Sequence, residues 1–169
     1  MERHRGMRPH DIVILLKIAS KKRKEWYMKD LARELEISAG EVSESLRRSV
    51  YAGLIGSDKR TLNRLALLDF LRCGLPYVFP QRPGPVVRGI PTAHSAPPLN
   101  AQIHSSEVFV WPWNEGTARG QAIVPLYPGL PAACMQDQDF YELMALTEAL
   151  RVGRTREKKL ATEMLKARI

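Results

Sequence analysis

The residues from Met28 to Ile55 restrict the folds open to this chain more than any other stretch. Two apolar stripes at helical spacing lie within it, the first on Met28, Leu31, Ala32 and Leu35, and the second on Val42, Ser45, Leu46, Ser49 and Val50. Because the connection between the stripes is short, the two helices must pack against each other at a steep angle. Ile37 fills the turn, and the small side chain of Ala32 lets the helices approach.

Capping residues set the limits of the second of these helices. Ser38 and Glu41 have the spacing of a capping box at its start, and Gly53 suits its end. A further helix is expected before the pair, opening at Pro9-His10-Asp11, and a fourth over Asn63–Leu71. Together these elements predict a helix-turn-helix unit.

The outer face of the second helix indicates what such a unit could bind. With Val42 and Leu46 facing inward, Arg47 lies outside and could donate two hydrogen bonds to guanine, while Glu44 could accept one from cytosine. The residues predicted to bind DNA are Lys29, Ser38, Ala39, Gly40, Ser43, Glu44, Arg47 and Arg48, of which Lys29, Ser38 and Arg48 suit phosphates. Candidate contacts to the DNA backbone are Lys21, Lys22, Arg23, Lys24, Lys59 and Arg60.

The charge distribution agrees with a polyanionic partner. Of the net charge of +8, residues 1–72 carry sixteen Lys and Arg against ten Asp and Glu, so 16 − 10 = +6, whereas residues 73–138 are neutral. Charge concentrated beside the helix-turn-helix favours double-stranded DNA over a membrane surface. The acidic Glu41 and Glu44 leave open a second interpretation, in which the helices serve only protein contact.

Residues 9–56 resemble MarR-like winged helix-turn-helix transcriptional regulators. The resemblance rests on Leu31-Ala32, Leu35, Ile37-Ser38, Val42-Ser43, Leu46 and Ala52-Gly53-Leu54-Ile55. It implies a sequence-specific transcriptional regulator that represses its own operon. In that family a long basic hairpin, the wing, follows the recognition helix, but here Gly56–Arg60 leads almost at once into a predicted helix. The wing is therefore expected to be short or missing.

The second half has a different character. Residues 75–135 contain eleven of the twelve prolines, with short strands predicted at Tyr77–Phe79, Val86–Val87, Val108–Trp111 and Ala122–Leu126. The last two strands are expected to form a hairpin around Asn114–Thr117. The segment Arg88–His94, within residues 86–98, is expected to fix a turn that supports the DNA-binding half, or to form a pocket or partner site. A helical tail follows, capped at Asp139 and broken at Gly153. The fold class is thus α+β, with a helix-turn-helix domain at 1–74 and a small α+β domain at 75–169, whose C-terminal helix serves dimerisation or partner binding.

The segments YVFPQRPGPVVRGIPTAHSAPPL and DFYELMALTEALRVGRTREKKLATEML resemble bacterial regulators or antitoxins that are paired with nucleotidyltransferase-like toxins. This resemblance implies a partner toxin enzyme. It gives an alternative function, that of an antitoxin or adaptor that binds and neutralises such an enzyme. The two functions are compatible in one chain.

Other classes find little support in the sequence. There is no G-x-S-x-G elbow, no glycine-rich phosphate loop with lysine and no histidine pair at metal-ligand spacing, so neither enzyme activity nor a cofactor or metal is expected. Cys73 and Cys134 are expected to be buried thiols. Without a signal peptide or an apolar run of about 20 residues, the chain is predicted to be cytoplasmic. A homodimer is expected because two recognition helices about 34 Å apart match successive major grooves.

Overall fold

The computed structural model describes residues 6–22 and 24–169 and confirms an α+β fold. Its helices are α1 (Pro9–Ser20), α2 (Met28–Leu35), α3 (Ala39–Tyr51), α4 (Arg64–Asp69), α5 (Leu75–Val78), α6 (Leu130–Met135), α7 (Gln138–Val152) and α8 (Thr155–Arg168). The strands are β1 (Val86–Pro91), β2 (Phe109–Pro112) and β3 (Ala118–Ala122). None of the helices in the described part of the chain is long and apolar enough to cross a membrane.

Helix α1 lies at the centre of the protein. Every residue from Asp11 to Ser20 is buried, because α1 packs against α2 and α3 on one side and against α7 on the other. The predicted apolar stripes of α2 and α3 face it, with Leu31, Leu35, Val42 and Leu46 all essentially inaccessible to solvent. The predicted limits of the first three helices are therefore confirmed, and so are their inward faces except at Met28, which is 44% exposed.

The caps of α3 follow the prediction in part. The Ser38 hydroxyl accepts a hydrogen bond from the Glu41 amide at 3.1 Å, and Gly53 has the left-handed φ of 76° that suits a residue just past a helix end. The carboxylate of Glu41 does not return a bond to the backbone of Ser38. It forms hydrogen bonds with His10 and Arg48 instead.

A short loop and a bent helical segment follow α3. Ile55 and Leu62 form a single antiparallel bridge around the loop of residues 56–61. The next helix does not end at Leu71: α4 runs through a wide π turn at Phe70–Gly74 into α5, so the strand predicted at Tyr77–Phe79 is wrong. Burial of Leu71 and Leu75 favours continuation, and the wide turn accommodates Pro76, which has no amide hydrogen.

The sheet differs from the predicted hairpin. Both β2 and β3 pair antiparallel with β1 and parallel with each other, and the three strands close into a small barrel. Two close backbone contacts explain this arrangement: a Cβ on Gly89 would lie 2.0 Å from the Trp111 carbonyl oxygen, and a Cβ on Gly116 would lie 2.2 Å from that of Gly89. Only glycine permits such contacts.

The C-terminal helices cover one side of α1 and of the barrel. Asp137 rather than Asp139 caps α7, accepting from the Phe140 amide at 3.0 Å, and Gly153 separates α7 from α8 as predicted. The apolar residues of α8 pack into the core of the same chain, with Ala161 and Leu165 buried. Its apolar face is therefore already covered, and the predicted role of α8 in dimerisation stays a prediction that would need another surface.

Two further predictions concern burial and domain limits. Cys134 is buried, but Cys73 is exposed on the outer side of the π turn, so only one of the two thiols is buried as expected. The predicted domain boundary at residue 74 falls inside the bent segment from α4 to α5, and buried residues of both halves belong to one hydrophobic core. The division into two domains stays a prediction.

Candidate nucleic-acid interface

The N-terminal half of α3 projects a polar surface to solvent. Ser38, Ala39 and Gly40 are exposed, and Ser43 and Glu44 are partly so. The Arg47 side chain is 69% exposed, and its guanidinium lies 2.9 Å from the carboxylate of Glu44. An exposed ion pair of this kind contributes little stability, so Arg47 can exchange Glu44 for another partner at small cost.

Arg48 does not lie on this surface, contrary to the prediction. Its side chain is 11% exposed and makes a bidentate pair with the buried Asp11 of α1, with Nε 2.8 Å and Nη2 2.7 Å from the two carboxylate oxygens. Nη2 also lies 2.6 Å from Glu41. The hydrogen bonds with Asp11 raise the pKa of the Arg48 guanidinium. The hydrogen bond from Arg48 in turn lowers the pKa of the Glu41 carboxyl. Arg48 therefore fastens α3 to α1 and is not available for a phosphate.

His10 completes this cluster. Its Nε2 lies 2.7 Å from the Glu41 carboxylate, and ligand atoms of His10, Asp11 and Glu41 lie within 4.8 Å of one another. Such a trio could hold a metal ion, but Arg48 already supplies a cation to both carboxylates. The sequence shows only that Asp11 opens an apolar helix. Helical periodicity alone places Arg48 on the outer face of α3. It cannot show that a buried acid on a neighbouring helix, Asp11, draws the side chain inward.

Two aromatic residues that the sequence analysis overlooked support the loop after α3. Arg60 donates to the Trp26 carbonyl oxygen at 2.7 Å, and its guanidinium lies 5.2 Å from the Trp26 ring and 5.9 Å from the Tyr27 ring. The Lys29 ammonium also lies over the Tyr27 ring, 5.7 Å from its centroid. These cation–π contacts bring two of the predicted cations together beside α2.

The loop itself is held by Asp58. Its carboxylate accepts from the amides of Arg60 and Thr61 and from the Thr61 hydroxyl at 2.6 Å. The hydrogen bonds with Thr61 lower the pKa of Asp58 to about 2, so the loop keeps this charge over the whole physiological range. Lys59 adopts a left-handed backbone at the tip, with φ of 56°.

The basic run after α1 is partly occupied by acidic partners. Lys21 pairs with Glu34, and Lys22 lies 2.8 Å from Asp139, whereas Lys24 is exposed. Arg23 lies outside the described residues. Residues 28–51 themselves carry four basic and five acidic residues, so 4 − 5 = −1. Cations that face a polyanion here must therefore come largely from the residues that flank the two helices.

A cleft of about 800 Å³ separates α2 from the start of α7. At its floor the buried Lys17 ammonium lies 2.6 Å from Asp137 and 3.1 Å from Glu34. Burial opposes ionisation of both acids, but the hydrogen bonds from Lys21 and Lys17 to Glu34 and from Lys17 to Asp137 outweigh it and lower their pKa values. These pairs link α1 and α2 to the start of α7.

Comparison of the chain with protein-family models, with curated proteins and with solved structures gives no match. The resemblances stated from the sequence, and the DNA-binding roles of the residues above, therefore stay predictions.

Proposed function

We propose that the chain is a sequence-specific DNA-binding transcriptional regulator that represses its own operon. The observation that carries the proposal is the presentation of α3. Its start is capped by Ser38, its inner face is fixed by Val42 and Leu46, and its outer face carries Arg47 at 69% exposure. A rigid helix with an exposed N-terminal half is what insertion into a major groove requires.

In this proposal residues 9–62 form a winged helix-turn-helix with a reduced wing. The bridge between Ile55 and Leu62 takes the place of the long hairpin, so the tip of the loop offers Lys59 and Arg60 to phosphates and not a strand to the minor groove. Arg47 would contact a base, and Lys29 and Ser38 the DNA backbone. Arg48 would act only by holding α3 in place.

The test is selection of a binding site from random duplexes, followed by affinity measurements with two matched variants. Arg47→Ala should lower affinity for the selected site about 10- to 100-fold, as loss of a bidentate contact to guanine does, with little effect on random DNA. Arg33→Ala is the control, because Arg33 is also exposed and also forms an i,i+3 pair, with Asp30, but lies on α2. Equal losses on selected and random DNA would contradict base reading by Arg47.

The alternative, an antitoxin or adaptor that binds a partner enzyme, has one observation in its favour. The bent segment from α4 to α5 exposes Leu65 at 75%, Tyr77 at 81% and Val78 at 53%. Large apolar side chains at such exposure are common at protein contacts. Co-purification with a nucleotidyltransferase-like protein encoded next to this chain, abolished by Tyr77→Ser, would support it, and the absence of both neighbour and bound partner would oppose it.

A further inference from the structure

A second cavity, of about 360 Å³, lies far along the chain from α3, between the loop after β1 and the start of α8. Pro83, Phe109 and Val152 give it an apolar wall. Its polar groups come from His94, Glu157, the amide side chain of Gln121 and the pair formed by Glu107 and Arg154. A volume of this size is at the lower end of the range for small-molecule sites, roughly 300–1,000 Å³.

The surroundings of His94 determine which of its ring nitrogens carries the hydrogen when the ring is neutral. Its ring is 4% exposed and packs edge-to-face on Phe109, with centroids 4.7 Å apart. Nε2 lies 2.8 Å from the carbonyl oxygen of Glu107. Because a carbonyl only accepts, Nε2 carries the hydrogen, and in the neutral ring Nδ1 is left as a bare acceptor. Nδ1 is buried and forms no hydrogen bond with any described residue.

The charged group that lies close to this acceptor is itself an acceptor. Glu157 Oε1 lies 4.0 Å from His94 Nδ1, while the other oxygen of the same carboxylate takes the amide hydrogen of Arg154. Two acceptors that face each other without a donor are unfavourable in a buried site. At this separation, a nitrogen donor about 2.9 Å from each atom would bridge them. Zinc, with bonds of about 2.0–2.2 Å, would have to draw the two atoms together to reach a tetrahedral angle.

The charges select the kind of donor. Arg154 is paired with Glu107 at 3.0 Å, so the Glu157 carboxylate has no cationic side chain of its own among the described residues except His94 if that ring is protonated. A positively charged donor would therefore be favoured over a neutral one. The Glu157 side chain is 15% exposed, which leaves a way in from solvent.

We infer that this cavity binds a small molecule that carries a primary ammonium group on a short apolar body. The ammonium donates to His94 Nδ1 and Glu157 Oε1, and the apolar part lies against Phe109, Val152 and Pro83. The site shares no residue with the α3 surface, so it stands or falls independently of the proposed DNA binding.

The experiment uses the full chain, with benzylammonium as the probe and benzyl alcohol and benzoate as neutral and anionic counterparts of the same shape. Calorimetric titration should show one benzylammonium bound per chain at millimolar concentrations and no binding of benzoate. In ¹⁵N spectra of the histidine ring nitrogens, the His94 Nδ1 resonance should move from that of a bare acceptor toward that of a hydrogen-bonded one as benzylammonium is added.

Two matched variants identify the acceptor. Glu157→Gln keeps an oxygen that accepts from Arg154, so α8 retains its cap, but it should weaken benzylammonium binding about tenfold or more because a charged acceptor is lost. Glu163→Gln removes an exposed charge from the same helix and should leave binding unchanged. The inference is overturned if benzylammonium leaves the His94 resonances unmoved or if His94 in the ligand-free protein is already doubly protonated at neutral pH. It is also overturned if Glu157→Gln binds benzylammonium as tightly as Glu163→Gln does.

Discussion

Glu148 gives the stability of this protein a defined dependence on pH. Its side chain lies on α7 with no exposure to solvent, next to Arg151 at 3.1 Å. Burial raises the pKa of Glu148 from its ordinary 4.5 to about 7, although Arg151 opposes the shift. The folded chain therefore holds a proton on this carboxyl at pH values where the unfolded chain has released it.

The size of the effect follows from the two pKa values. Below pH 4.5 both states are protonated, and the full contribution of Glu148 to stability is present. As the pH rises from 4.5 to 7, unfolding releases a proton, so the free energy of unfolding falls, and above 7 the contribution is lost. A difference of 7 − 4.5 = 2.5 pKa units, at 1.36 kcal/mol each, amounts to about 3 kcal/mol.

Urea unfolding of the wild type and of Glu148→Gln at a series of pH values from 4 to 8 measures this contribution. Glutamine keeps the size of the side chain and does not titrate, so the other ionisable groups cancel in the difference between the two proteins. The wild type should lose about 3 kcal/mol relative to the variant across this range. Glu163→Gln, which removes an exposed carboxyl from α8, should run parallel to the wild type. Parallel curves for Glu148→Gln as well would refute a proton held by burial.

Two further variants test how α3 is held. Arg48→Met leaves the buried Asp11 carboxylate without its cation and should destabilise the protein by about 3–5 kcal/mol in urea unfolding, whereas the exposed Arg47→Met should change stability by less than about 0.5 kcal/mol. Similar losses for both would show that Asp11 does not depend on Arg48. Ser38→Ala should cost about 1 kcal/mol through the lost cap on the Glu41 amide, and Ser43→Ala, in the interior of the same helix, should not destabilise the protein.

The sequence predicted the first three helices well because their signals are local. An apolar stripe at helical spacing, a serine before it and a glycine after it each act within a few residues, and Ser38 and Gly53 lie where the chemistry of caps requires. The same holds for Gly153, which separates two helices whose apolar faces are both visible in the sequence.

The strand arrangement and the extension of the fourth helix depend on contacts distant in sequence. A turn-like Asn114–Thr117 between two β-type runs normally indicates a hairpin, but β1 takes both strands as its partners because Gly89 and Gly116 let the backbones approach. Pro76 normally ends a helix, yet burial of Leu75 against α7 and a π turn carry the helix past it. The local sequence pattern indicates neither that β1 is the partner of both strands nor that Leu75 is buried against α7.

The number of basic residues in the sequence overstates the positive charge that the candidate interface can offer to DNA. Sixteen cations lie in residues 1–72, but Lys17, Lys21 and Arg48 pair with acids inside the fold. Among the residues that the structure describes, the predicted backbone-contacting cations without an acidic partner are Lys24, Lys29, Lys59 and Arg60, whereas Lys21 and Lys22 are paired. If each neutralises one phosphate, the slope of log affinity against log salt should be about −4 per chain, at roughly 0.9 per phosphate, and not the slope of about −14 that sixteen would give. A slope near −14 would mean that DNA binding opens the internal ion pairs or uses a surface other than that of α2, α3 and the loop after them.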